Sequence, residues 1–432
     1  MAAVTRRAIR GKGRTLLIGN GEHLRPVLRL AVVACLLVPR PSEAQPEVTF
    51  DEALGLGVRH PGVVAAEREL RVREAEDVGI GGTWRPTTIT LMPGALVAPD
   101  QDRGFELQVA VTQGWNLADL GGARREAARE ERAVLAAAHR LAALDARLEA
   151  ARRWVELFAI QQVEVGLDRR LELADRTVSL RERALARGAG TAEELAEARA
   201  ARAALQRLRL DAEGSRVEVA RALALSLGAD PTQLPRAVGP LPEPTLPPDP
   251  HRHADRLETL PAVARARLAA VAARARAVEE EAGWAPVLSL GAQLERTAAD
   301  SWVLFAIATL AFDPSGSARR GASRERAASA RAEGDATLAL LRARADVEDA
   351  IHEVEHTSQT LRVLEDELLP AARELTTLRE RRVAAHEETA FALLEARQRH
   401  LAAREARVRI RCQHVWARVR LWLLLAQLAE EG

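Results

Sequence analysis

His352 and His356 stand four residues apart in the run HEVEH. His-Glu-x-x-His on a helix puts two imidazoles on one face, with the glutamate placed as a base. Hydrolysis by a bound zinc also needs a third ligand and a cleft. Glu374 offers a third ligand by spacing only, and it lies on the same helical rod. The pair reads as exposed polar residues, a weak match to a metal motif, and no metal site is expected. Cys412 and His414 are the other neighbours with chemical potential. A thiol in an Ala- and Trp-rich helix reads as a small core residue. His251 and His253 fall in a proline-rich, flexible segment and read as polar filler. No Gly-rich phosphate loop and no nucleophile elbow occur. The chain is expected to be no enzyme and to hold no cofactor.

The elements that carry these residues are written twice. At an offset of 200, Pro61, Val63, Ala66, Val78, Trp84 and Pro86 match Pro261, Val263, Ala266, Val278, Trp284 and Pro286. Later the offset is 198, where EELAEARAARAAL from Glu193 aligns with FALLEARQRHLAA from Phe391. Between the copies lie eight prolines from Pro231 to Pro250. Proline at that density cannot continue a helix and favours extended chain. The division expected is 1–44, 45–230, a linker at 231–254, and 255–432, the first a signal peptide and the second and fourth two copies of one unit.

Each unit has the same order. Thr49-x-x-Glu52 is a capping box that opens a helix running to about Val78. Strands follow over 86–97 and 104–115. Phe105, Leu107, Val109 and Val111 alternate with Glu106, Gln108, Ala110 and Thr112. From Asp119 to Arg187 no proline occurs, and Leu141, Leu144, Leu148, Ala151, Val155 and Phe158 recur at steps of three and four. That is a coiled-coil seam, on a helix about 100 Å long. Gly188-Ala189-Gly190 breaks it, and Thr191-x-x-Glu194 caps a helix to about Leu227. The second unit predicts a helix over 258–282, strands over 286–296 and 301–312, a long helix over 317–385 kinked at Pro370, and a last helix over 389–428. A helix of 100 Å needs a partner along its whole seam. The short helices before the strands and after the turn, stacked end to end, match its length. Four strands leave two open edges, a hazard that a barrel shared by several chains removes.

Composition bounds the environment. Arg plus Lys number 62 and Asp plus Glu 61, which gives no electrostatic reason to expect nucleic acid as partner. Five basic residues between Arg6 and Arg14, an apolar run over Leu30–Val38 and Ser42-Glu43-Ala44 read as an export signal cut before Gln45. A lipobox ending in Cys35 is the rival reading. Past the signal no stretch approaches the ~20 apolar residues of a spanning helix. Tyr is absent, which counts against a membrane barrel because Tyr and Trp line the water–lipid boundary. Trp84, Trp115, Trp284 and Trp302 at the strand ends answer that in part, either as a belt or as plugs at the junction of strands and helices.

In this order the residues resemble the TolC-like outer-membrane efflux proteins, the outer membrane factors, over 47–428. The opening helix TFDEALGLGVRHPGVVAAERELRVREAE, the strand starts WRPTTITL and WAPVLSLG, and LLPAARELTTLRERR carry the resemblance. RGAGTAEELAEAR does too, through Gly188, Thr191, Glu194 and Leu195. The resemblance implies an α+β membrane protein: a homotrimer with a twelve-stranded β-barrel in outer-membrane lipid, continuing into an α-helical coiled-coil barrel in the periplasm. It implies passive export, with an adaptor and an inner-membrane transporter docking at the glycine-turn tips. The family gates its tunnel with acidic side chains near the second turn. Here His386 replaces the usual Gly, Ala392 replaces one acid and Glu395 keeps the other. The tip candidates are Gly188, Thr191, Glu194, Glu197, His386, Glu387, Glu388, Thr389 and Glu395, read either as a charged ring that sets ion preference or as solvated cap charges. A coiled-coil scaffold without a pore is the alternative, and four ten-residue strands have no use in it.

Overall fold

The computed structural model of the chain describes residues 45–76, 87–96, 104–247, 249–283, 285–296, 301–311 and 317–429. A two-residue strand β1 (Glu47–Val48) leads into α1 (Phe50–Gly57) and α2 (Pro61–Glu76). The capping box forms as read: the Thr49 N–H donates to Glu52 Oε2 (2.8 Å), and the Glu52 N–H to Thr49 Oγ1 (3.3 Å). The single helix expected to run to Val78 is instead broken at Val58–His60. Pro61 is the reason. The residue before a proline is pushed out of the α region, while proline itself suits the first helical position, where its missing N–H is not needed. His60 Nδ1 accepts from the Gly62 N–H (3.1 Å) at the new start.

Strands β2 (Thr88–Leu96) and β3 (Gly104–Asn116) follow, then α3 (Leu120–Ala186) and α4 (Ala192–Ser226). Asp119 caps α3 by accepting from the Gly122 N–H (2.8 Å). On the seam, Leu144, Ala151 and Val155 are buried, with Leu148 and Phe158 packed beside them. The Arg73–Glu131 ion pair ties α2 to one half of α3. Along the other half, Arg216–Glu164 (3.1 Å), Arg209–Asp168 (3.2 Å) and Arg199–Glu182 (2.8 Å) fix an antiparallel α4. The exposed Arg199–Glu182 pair contributes about 1 kcal/mol or less; the use of these pairs is in register.

Beyond β4 (Arg236–Ala237) and a 3-10 helix (Pro250–Thr259) come α5 (Pro261–Gly283), β5 (Val287–Arg296), β6 (Trp302–Ala311), α6 (Ser317–Val363), α7 (Leu369–Ala384) and α8 (Ala390–Ala429). The regular helix is interrupted just ahead of Pro370, where Leu364–Leu368 form one π turn. The Leu369 N–H reaches back five residues to the Leu364 carbonyl. The wider turn makes room for a proline ring that would strike the carbonyl four residues back in a regular helix. The 3-10 start replaces the first α-helical residues expected before Pro261. Helix α3 also packs against α5 and α8, so the two helical hairpins lie side by side.

The proline-rich segment is not the free linker expected. β4 pairs in parallel with β1, Glu47 opposite Arg236 and Val48 opposite Ala237. Leu234 and Leu241 pack on the main core, and an Arg418 Nη donates to the Pro244 carbonyl (2.8 Å). His251 Nδ1 stands 3.5 Å from Glu348 Oε2. At the centre of that core sits Trp154, fully buried, its Nε1–H donating to the Val48 carbonyl (2.8 Å).

The four long strands form one antiparallel sheet in the order β2-β3-β5-β6. Its edges, β2 and β6, have no strand partner among the described residues. Gly291 in β5 is required by close packing: a Cβ there would lie 2.3 Å from the Val111 carbonyl oxygen. Among the described residues no helix is long and apolar enough to cross a membrane.

Candidate functional site

Directly opposed residues of an antiparallel pair share a face of the sheet. Leu91 stands against Val109, Val109 against Leu294 and Leu294 against Leu304. Ile89, Val111, Ala292 and Ala306 form the next row on the same side. This face is apolar across all four strands, with Gln113 and Arg296 the exceptions near its ends. It is also uncovered: Ile89 is 69% exposed, Leu91 62% and Leu304 71%. The opposite face carries Thr90, Gln108, Thr112, Gln293 and Glu295 on β2, β3 and β5, interrupted by Met92, Ala110 and Val287, while β6 gives it Val303, Phe305 and Ile307 before Thr309. In water such a wet apolar face is unfavourable; in a bilayer it is the required arrangement. β2, β5 and β6 span nine or ten residues, against the ~9–11 a bilayer needs. Trp115 and Trp302 lie toward opposite ends of the sheet. Trp84, Pro86 and Trp284 lie outside the described residues. Pro286 is exposed immediately before β5, and its carbonyl accepts from the Leu117 N–H (3.0 Å).

The other end is built by two helical turns. After α3, Gly188 adopts φ +71°. Its N–H donates to Leu185 O (3.0 Å), and the Ala189 N–H to Ala184 O (2.9 Å). After α7, His386 adopts φ 61°, with its N–H on Val383 O (3.1 Å) and the Glu387 N–H on Arg382 O (2.9 Å). Both turns are Schellman closures, so losing Gly has not altered the backbone of the second tip. A non-glycine residue there costs roughly 1–2 kcal/mol. His386→Gly is therefore expected to raise stability by about 1 kcal/mol, read as a higher melting temperature of the purified protein. An unchanged or lower one would mean that the imidazole contributes contacts of its own.

Thr191 and Glu194 form a reciprocal capping box (3.2 and 3.1 Å), and Glu194 also pairs with Arg181 (2.9 Å). Position 392, where the repeat would put a second such acid, is Ala. Arg379, which stands where Arg181 does in the first hairpin, pairs with Glu388 instead. The carboxylate has moved along the chain while the arginine has kept its place. Arg181 also lies over the Phe391 ring, 3.7 Å from its centroid, which joins the two hairpins at their tips. Glu395 pairs with Arg399 (2.6 Å). Glu197, Glu387 and Thr389 are exposed, and neither of these two carboxylates makes an ion pair among the described residues. The arginines and Phe391 escaped the reading of the sequence. Their signal is the 198-residue offset, which maps Arg181 onto Arg379.

Further from the tips, buried Glu405 of α8 binds Arg170 of α3 (2.9 Å) and Arg409 (2.7 Å), tying the hairpins together midway. The His352 and His356 rings are exposed, 6.2 Å apart. Glu353 is held by Arg420 (3.3 Å), so it is not placed as a base. Glu374 lies 22 residues beyond His352 along the rod, about 30 Å away at helical rise, too far for a third ligand. Among the described residues no three potential ligands converge on a metal position. Burial pushes the Cys412 thiol up to about 11, which leaves it unreactive at neutral pH. His414 is bonded to the Thr357 hydroxyl (3.0 Å), and burial, then Arg418, lowers its pKa. Among the described residues neither pairs with an acid or a second thiol.

No family model matches the chain, and no curated protein matches it in sequence. Solved structures do. The outer-membrane channel OprN is similar with TM-score 0.73 and 16% identity over 87% of this chain and 89% of that one. The outer membrane protein VceC of Vibrio cholerae gives TM-score 0.68 and 18% identity over 88% and 95%. The CmeC outer membrane channel of Campylobacter jejuni gives 0.73 and 14% over 88% and 85%. Identities this low speak for architecture and leave residue chemistry to be argued from this chain. Long helical hairpins, a four-stranded sheet and these likenesses agree: the chain has the fold of the TolC-like outer-membrane channels.

Proposed function

We propose that the chain is one subunit of an outer-membrane export channel, a passive duct for an efflux or type I secretion system. The observation that carries this is the sheet, apolar and uncovered on one face and carrying its polar residues, chiefly from β2, β3 and β5, on the other, with no strand partner at either edge among the described residues. Three copies joined β6 to β2 would supply twelve strands, close every edge and turn the apolar face to lipid. The polar face would line the duct, and the helical hairpins would extend it into the periplasm. In this reading 45–230 and 255–432 are two copies of one unit, joined through 231–254, with 1–44 as export signal. The tips, with Glu197 and Glu387 as open charges, would meet a periplasmic adaptor and an inner-membrane transporter. Lining residues that only conduct need no nucleophile, metal or cofactor, and no bond chemistry is assigned. A pore-free scaffold gives the wet apolar face nothing to do.

Reconstitution in planar bilayers tests the reading, together with chemical crosslinking for subunit number. Discrete conductance steps and a crosslinked trimer are expected. A monomer or dimer without conductance would overturn it.

A further inference from the structure

HEVEH has no part in the proposed duct, yet its setting is unusual. It lies in the last quarter of α6, whose opposite face is anchored in a core of Val347, Ala350 and Ile351 against Leu421 and Leu425 of α8. The backbone under the two histidines is therefore fixed. Their exposed rings have centroids 6.2 Å apart and planes 18° from parallel, as four residues of helical rise, about 6 Å, dictate. Neither ring makes a hydrogen bond or ion pair among the described residues, which leaves both sets of ring nitrogens open.

The local charge adds a second reason. Between Arg344 and Arg362 there is no Arg or Lys, while Asp346, Glu348, Asp349, Glu353 and Glu355 all fall there. Such a run is out of balance in a chain of 62 cationic and 61 acidic residues. Arg420 reaches Glu353 at 3.3 Å and Asp346 only at 4.0 Å, and His251 faces Glu348. Asp349 and Glu355 stand near the histidines in sequence and make no ion pair among the described residues, an acidic setting that draws cations.

We propose that His352 and His356 form a two-imidazole surface chelate for a borderline divalent transition cation of the Cu2+, Ni2+ or Zn2+ kind. Neutral imidazole nitrogen suits these ions over Mg2+ or Ca2+, and Cu2+ binds most strongly in the series. Rotation of the two side chains is the only movement required, and water completes the coordination. With two protein ligands the site binds; it does not hydrolyse.

The test is calorimetric titration of the full-length chain, purified without a histidine tag and stripped by chelator, with Cu2+ alone. One ion per chain is expected at this site. His352→Asn and His356→Asn should each weaken binding about tenfold or more, since each leaves a single imidazole. The double variant should lose that ion, and His139→Asn, a histidine of α3 on the other hairpin, should keep it. Both rings are exposed, so the melting temperatures should stay with the parent, separating lost ligation from lost fold. A double variant that binds Cu2+ as tightly and in the same ratio as the parent would overturn the proposal. So would a parent that takes up no more Cu2+ than the double variant. The titration reads binding and not conduction, so its failure leaves the channel reading standing.

Discussion

Trp154→Ala is expected to destabilise the chain by about 3–5 kcal/mol, the usual range for a buried Trp cut to Ala. Three contacts meet at this side chain. Its ring packs edge-on to Phe50 of α1 at 5.4 Å and stacks on Phe158 one turn along α3, also at 5.4 Å. Its Nε1–H supplies the bond to the Val48 carbonyl in β1. One residue thus holds α1, α3 and the β1–β4 pair together. Truncation leaves a cavity and strands a buried carbonyl. Trp154→Phe separates the two terms: it keeps most of the apolar area and loses only the donor, about 1–3 kcal/mol. Thermal melting of the three purified proteins should rank parent, Phe and Ala in that order. Limited proteolysis should cut the Ala variant faster near the proline-rich segment, which β1 and β4 clasp. Melting of Trp154→Ala together with the parent would show that the clasp is held by something else.

That clasp could not be read from the sequence, and the reason is physical. Two residues of parallel pairing across nearly 190 positions leave no period, and proline-rich composition signals extended chain whether or not it is anchored. The long helices and the four strands were readable because each repeats one spacing over many residues, 3.6 along α3 and two along β3. The break before Pro61 carried its own signal, but the matching pattern on either side of it read as one helix. At the tips, the resemblance and the comparison of the two copies implied a missing glycine and a missing acid in the second turn. Only the backbone angle of His386 shows that the turn survives. Only the pairing of Arg379 with Glu388 shows that a carboxylate faces the arginine at the position that Arg181 holds in the first hairpin. Glu194 stood out as a gate candidate by type; its bonds to Thr191 and Arg181 make it a helix cap first.

The sheet offers the sharpest contrast on which the proposed channel stands or falls. Leu294→Arg and Gln293→Arg add the same charge at neighbouring positions of β5. The pleat sends the two side chains to opposite faces. Leu294 lies between Val109 and Leu304 on the apolar side, level with the middle of β3; Gln293 lies between Ala110 and Phe305 on the polar side. If the apolar face meets lipid, an arginine at 294 costs about 2–4 kcal/mol per subunit, the penalty measured near a bilayer midplane. Three subunits multiply it. Leu294→Arg should therefore be depleted from outer-membrane fractions and should form no channels. Gln293→Arg faces water in either event. It should insert at the parent's level, and its added ring of positive charge should shift the channel toward anions. Membrane fractionation and reversal-potential measurements read both effects. Equal insertion of the two variants would mean that the two faces see the same medium. The alternation of β5, the open edges and the uncovered leucines would then need a protein partner in place of a membrane.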